Sequence, residues 1–102
     1  MRENYYENKL RRKIRALGCG AVCLKFVSPG YTGVPDRIIL LPGGRVIFAE
    51  LKQPGKVERE RQRYVQSVLR RLGFDVFSAV DSDERIDEVV ERCREEIRNA
   101  GL

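Results

Sequence analysis

The sequence predicts an α/β domain in which a central mixed β-sheet is flanked by helices. Three observations lead there. Hydrophobic spacing switches between helical and strand-like patterns along the chain, giving the order α-β-β-β-α-β-α. Two β-rich runs are joined by Pro42-Gly43-Gly44, which signals a hairpin. The last strand follows an intervening helix, so it returns to the sheet as a crossover. With 102 residues, 42% of them hydrophobic, the chain supplies a single domain over residues 1–102 and one modest core.

The first helix is expected from Glu3 to Leu17. Tyr6, Leu10, Ile14 and Leu17 recur at helical spacing, and Gly18 stops the run. Glu7 lies close to that stripe, about 20° from Ile14 and about 60° from Leu10 at 100° per residue, so its carboxylate follows the buried edge. Ala21 to Val27 reads as a strand, and Ser28-Pro29-Gly30-Tyr31-Thr32-Gly33 as a loop. Arg37 to Leu41 and Arg45 to Lys52 are the hairpin strands, and Gln53-Pro54-Gly55 breaks the second. A helix follows from about Glu58 to Leu72, with Arg61, Val65, Val68 and Leu72 on one side and Gly73 as terminator. Phe74 to Val80 is the final strand. Asp81 or Ser82 can cap a last helix whose stripe is Ile86, Val89, Val90, Cys93 and Ile97.

Several function classes drop out on composition. No apolar run approaches the roughly 20 residues of a membrane helix, and Tyr5-Tyr6-Glu7-Asn8-Lys9 interrupts any signal-peptide pattern. The expectation is a soluble, cytoplasmic protein. There is no histidine, which excludes His-dependent nucleophile schemes and His-ligated metals. The cysteines at 19, 23 and 93 form no C-x-x-C pair and read as ordinary thiols of a reducing compartment. No phosphate-binding glycine loop of the G-x-x-x-x-G-K-[ST] type is present. Any chemistry must rest on carboxylates and lysines.

Charge is unevenly spread. Residues 1–25 hold seven Lys/Arg against two acids, residues 26–73 nine against four, and residues 74–102 four against nine. A basic first three-quarters with an acidic end suits a polyanion on one face and solvent on another.

The chemistry-bearing residues converge on the hairpin. Asp36 opens its first strand, while Glu50 and Lys52 stand near the end of its second. Residues two apart on a strand share a face, so Glu50 and Lys52 point the same way, and the tight turn brings Asp36 beside Glu50. An E-x-K alone is as well explained by an ion pair on a defended edge strand. The Pro-Asp at the matching hairpin position is what such a pair leaves unexplained.

Gly33-Val34-Pro35-Asp36-Arg37, then residues 37–49, then Glu50-Leu51-Lys52 resembles the PD-(D/E)xK nuclease signature. Lys25-Phe26, Ser28-Pro29-Gly30, the Pro42-Gly43-Gly44-Arg45-Val46-Ile47-Phe48 hairpin and Gln62 are similar to the virus-type replication-repair nuclease (VRR-NUC) domain. The likeness runs from Glu7 through the last helix, and it looks like the stand-alone phage and prophage form. It implies a restriction-endonuclease-like αβββαβα core. It further implies Asp36, Glu50 and the Leu51 carbonyl as metal ligands, Lys52 as the catalytic lysine and Gln62 as an active-site glutamine. Glu7 matches the first-helix glutamate of many relatives and is implied as a further metal ligand, for a second ion or through water, with Glu3 one turn earlier as a competitor.

Hard oxygen ligands suit Mg2+, with Mn2+ as substitute, and such an ion serves phosphodiester hydrolysis. Lys25, Arg37, Lys56, Arg59 and Arg63 flank the site and can hold phosphates. Tyr5 and Tyr31 are further candidates for DNA contact, and Tyr6 for packing. The resulting expectation is a Mg2+-dependent DNA endonuclease acting on branched DNA such as four-way junctions. Nucleases for flaps or single strands, and a non-catalytic DNA-binding module, remain as alternatives. Paired incision of a two-fold junction by so small a domain calls for a homodimer.

Overall fold

Alternating side chains commit the strands to one four-stranded sheet in the order β1-β2-β3-β4. The computed structural model describes residues 2–53 and 55–101. Its elements are α1 (Arg2–Arg15), β1 (Val22–Lys25), β2 (Arg37–Leu41), a 3-10 turn (Pro42–Gly44), β3 (Arg45–Leu51), α2 (Glu60–Arg71), β4 (Asp75–Val80) and α3 (Asp83–Asn99). β1, β2 and β3 run antiparallel, and β4 joins β3 in parallel. The predicted order, the hairpin and the mixed sheet are all present.

The turn between β2 and β3 works because Gly43 and Gly44 take φ of 81° and 74°, a region that a Cβ makes costly. One sheet face carries Cys23, Ile39, Leu41, Ile47, Ala49 and Leu51, all buried against Leu10 and Ile14 of α1 and Ile86, Val89, Val90 and Cys93 of α3. Burial pushes the Cys23 thiol up to about 11 and Cys93 to about 12, so both stay protonated. The opposite face holds Phe48, whose ring lies 5.7 Å from Phe26 and 5.4 Å from Phe74, with α2 over its β4 side.

The differences from expectation lie at element ends. β1 is shorter than Ala21 to Val27, although Phe26 N–H still donates to the Asp36 carbonyl at 2.8 Å. α2 starts at Glu60 rather than Glu58, where the Gln62 side chain accepts the Arg59 N–H at 2.9 Å and closes the first turn. Ser82, not Asp81, caps α3, accepting the Arg85 N–H at 3.1 Å. The strand-breaking Pro54 and the Glu3 side chain lie outside the described residues. No helix among the described residues is long and apolar enough to cross a membrane.

Candidate active site

Strand parity builds the site. With Ile47, Ala49 and Leu51 facing α1 and α3, Glu50 and Lys52 must point to the other face. Lys52 Nζ lies 3.3 Å from Glu50 Oε2. The hairpin register pairs Arg37 with Ala49 and so sets Asp36 next to Glu50. Each carboxylate then accepts from the other strand's backbone: Asp36 N–H donates to Glu50 Oε1 at 3.1 Å, and Leu51 N–H to Asp36 Oδ1 at 3.0 Å. These reciprocal bonds satisfy donors that the end of the ladder leaves over and hold both carboxylates in place.

Gln62 reaches the pair from α2. Its amide donates to Glu50 Oε2 at 3.1 Å, and its carbonyl accepts from Lys52 Nζ at 3.2 Å. The same carbonyl caps α2, so the helix start and the lysine position are one arrangement. An open cleft of about 410 Å3 lies above, lined by Asp36, Glu50, Leu51, Lys52, Gln53, Lys56, Val57, Arg59 and Gln62. Glu50 is only 5% exposed. Burial, and next the Asp36 charge, raise its pKa above the ordinary value, while Lys52 opposes the shift.

The loop that delivers Asp36 is locked against α2 at Gly33. Its φ is +94°, and a Cβ there would lie 2.8 Å from Arg61 Cγ and 3.0 Å from the Arg61 carbonyl oxygen. Pro35, which follows, is fully buried. On the far side of β3, β4 bulges: Ala49 pairs with Phe77, but Leu51 pairs with Val80. The extra residue falls opposite Glu50, and Ala79 takes φ 52° there.

Asp36, Glu50, the Leu51 backbone, Lys52, Gln62, Lys56 and Arg59 therefore share one cleft. Arg63 is exposed one helical turn on from Arg59, with Nη1 donating to the Glu58 carbonyl at 2.9 Å. Lys25 is exposed at the end of β1 and does not line the cleft. Glu7 is not brought to the carboxylate pair. It meets Arg37 Nη2 at 2.9 Å on the α1 face of the sheet. Arg37 is corrected as a phosphate contact: at 5% exposure and paired to Glu7, it has no face to offer a DNA backbone. Its Nε is a buried donor with no partner among the described residues.

The donor set fits a hard divalent cation. Two carboxylates stand side by side with a backbone carbonyl, in a cleft with neither imidazole nor thiol. The mutual repulsion that helps raise the Glu50 pKa is what a cation between them relieves. Among the described residues no group of three or more Asp, Glu or Cys side chains gathers that could hold a metal ion. Sequence reading placed Arg61 only on the stripe of α2 and gave it no role; its guanidinium lies over the Tyr31 and Tyr64 rings. The Arg61–Tyr64 spacing on one helix face was the available signal.

No family model matches the sequence. The chain is 39% identical over 84 residues to "Putative nuclease p44" of Acyrthosiphon pisum secondary endosymbiont phage 1, covering 82% of this chain and 87% of that protein. Its structure resembles a solved VRR_NUC domain with a TM-score of 0.77 at 24% identity, over 89% of this chain and 96% of that one. The four-stranded mixed sheet with its flanking helices is an α/β domain of the VRR_NUC fold. The chain belongs to the same family as that phage p44 protein, and its fold is that of a VRR_NUC domain.

Proposed function

We propose that the protein is a divalent-metal-dependent DNA endonuclease, selective for branched DNA and acting in the host cytoplasm in phage replication, recombination or repair. The observation that carries the reading is the single cleft in which Asp36, Glu50, the Leu51 backbone, Lys52 and Gln62 meet. Mg2+ or Mn2+ held by Asp36, Glu50 and the Leu51 carbonyl would supply Lewis-acid stabilisation and ease formation of hydroxide.

The side chains carry the remaining tasks. Lys52, held between Glu50 and Gln62, orients the attacking water and stabilises negative charge growing on the phosphoryl oxygens. Gln62 keeps the ammonium aimed into the cleft. Lys56 and Arg59 at the rim, with Arg63 beyond, bind the flanking phosphates. Binding of this kind weakens with salt, by about 0.9 log unit per neutralised phosphate per log unit of salt on duplex arms. Two copies related by a two-fold axis make the paired cuts, since one domain holds one cleft.

A panel of labelled linear, flap, splayed and four-way DNA, each with Mg2+ and with EDTA, tests the reading. Symmetric nicking of four-way junctions by a dimer, seen by sedimentation, is expected with Mg2+ alone. Cutting confined to flaps would keep the nuclease and change its substrate. Binding without cleavage on every substrate, with Mn2+ as well as Mg2+, would leave a DNA-binding module in its place.

A further inference from the structure

We infer that Tyr31, Arg61 and Tyr64 form a stacking platform that takes one unpaired nucleobase, on the loop and helix that carry Asp36 and Gln62. The inference rests on the proposed function for DNA as the ligand, and it names the feature by which a branch would be told from a duplex.

The three side chains form one unit. The Arg61 guanidinium carbon lies 4.7 Å from the Tyr31 ring centroid and 5.3 Å from that of Tyr64, both within cation–π range. Arg61 Nε donates to the Thr32 carbonyl at 2.9 Å, which holds the guanidinium in that position. Yet neither tyrosine is buried in the core. Tyr31 is 42% and Tyr64 51% exposed, whereas Tyr6 is packed against the core. Both tyrosines are thus partly open to solvent next to a cation fixed in place.

Position ties the unit to the chemistry. Tyr31 belongs to the loop that delivers Asp36, and Arg61 and Tyr64 belong to α2, the helix that carries Gln62, on a different face of it. Gly33 seals loop to helix so closely that no Cβ fits between them. The platform and the Asp36 carboxylate therefore ride on one joint, and a base seated on the rings would set the position of its own backbone relative to the cleft. Arg59, Arg61 and Arg63 supply the phosphate attraction that brings a strand there.

The geometry selects for open DNA. A base inside a duplex has both flat faces covered by its neighbours and can offer neither to a tyrosine. A base left unpaired at a branch can offer one. Because every base has a π face, this recognition is indifferent to sequence.

The test is an affinity series in EDTA, read by fluorescence anisotropy on a splayed-arm DNA. A single abasic site is walked through the unpaired arm and, as control, through the duplex. The native protein is expected to lose at least about fivefold in affinity at one or two unpaired positions and little elsewhere. Tyr31→Leu and Tyr64→Leu should bind the intact splayed arm correspondingly more weakly, lose nothing further at those abasic positions, and bind duplex as before. Tyr31→Phe and Tyr64→Phe should behave as the native protein. Indifference of the native protein to every abasic position overturns the inference without any variant having to fold. So does an abasic loss that persists in the Tyr→Leu variants, or a variant loss shared equally by duplex. Because binding is read without metal, failure of cleavage would sink the nuclease reading alone, and failure here would leave that reading standing.

Discussion

The α1/α3 face of the sheet and the α2 face are made from alternate residues of the same strands, and they are finished differently. On the first, Ile39, Leu41, Ile47, Ala49 and Leu51 are sealed under two helices. On the second, cover is partial: Val22, Leu24 and Leu40 stay exposed at 42%, 48% and 38%, and charged groups occupy the end. Glu50 sits between Ala49 and Leu51 in sequence and faces the opposite way. The chain thus places its stability on one side of a strand and its chemistry on the other, one residue apart. A buried carboxylate is tolerable because the Asp36 N–H, Lys52 and Gln62 all hydrogen-bond to it, although Phe48 shares its face.

The largest effects should separate the two faces cleanly. Asp36→Ala, Glu50→Ala or Lys52→Ala is expected to cut single-turnover cleavage by at least about 10²–10³-fold, with thermal melting little changed. Ile39→Ala or Ile86→Ala should do the reverse, costing about 2–5 kcal/mol by denaturant unfolding while the rate per folded molecule holds. If Lys52→Ala cut within severalfold of the native rate, the lysine would leave the mechanism. If Ile39→Ala lost activity while fully folded, the division between faces would be wrong.

What could be read from the sequence follows from how locally each feature is determined. The hairpin Pro42-Gly43-Gly44 and the i, i+2 relation of Glu50 and Lys52 are short-range, and they place Asp36 by register alone. The helices of residues 58–72 and 82–99 show in their apolar spacing for the same reason. Glu7 was different. Its phase on α1 put it at the buried edge, correctly, but its partner depends on how α1 docks across β2, which no local pattern encodes. Arg37, read as a surface cation, lies on the same strand face as Ile39 and so points into α1. The contacts of Arg61 with Tyr31 and, 29 residues away, with Thr32 were invisible likewise.

That pair gives an intermediate effect that sharpens the comparison, because Glu7 and Arg37 stand on the stabilising face near the site. Glu7→Gln leaves a buried guanidinium without its counter-charge and should cost about 1–3 kcal/mol. Combining it with Arg37→Met removes the stranded cation and should restore most of the loss. If Glu7 serves stability alone, the double variant recovers cleavage together with melting temperature. Stability regained without cleavage would instead assign Glu7 a part in the chemistry.

The smallest effect concerns the bulge in β4, the point where the stabilising frame meets the site. One extra residue between Phe77 and Val80 lies opposite Glu50, and it lets Val80 reach full burial and accept the Lys52 N–H at 3.0 Å. The Ser78 carbonyl is taken by Arg85 at 3.1 Å. The cost falls on Ala79 at φ 52°, a conformation that disfavours any Cβ by about 1–2 kcal/mol. Ala79→Gly removes that strain but gives the unfolded chain more freedom, worth about 0.5–1 kcal/mol in the opposite sense. The net gain should therefore be up to about 1 kcal/mol, or a rise of a few degrees in melting temperature, with cleavage unchanged. Ala79→Val has the opposite sign, since a β-branched side chain is worse still at positive φ. Valine tolerated without loss of stability would mean that the bulge does not hold its left-handed residue, and that Lys52 is positioned by Gln62 and Glu50 alone.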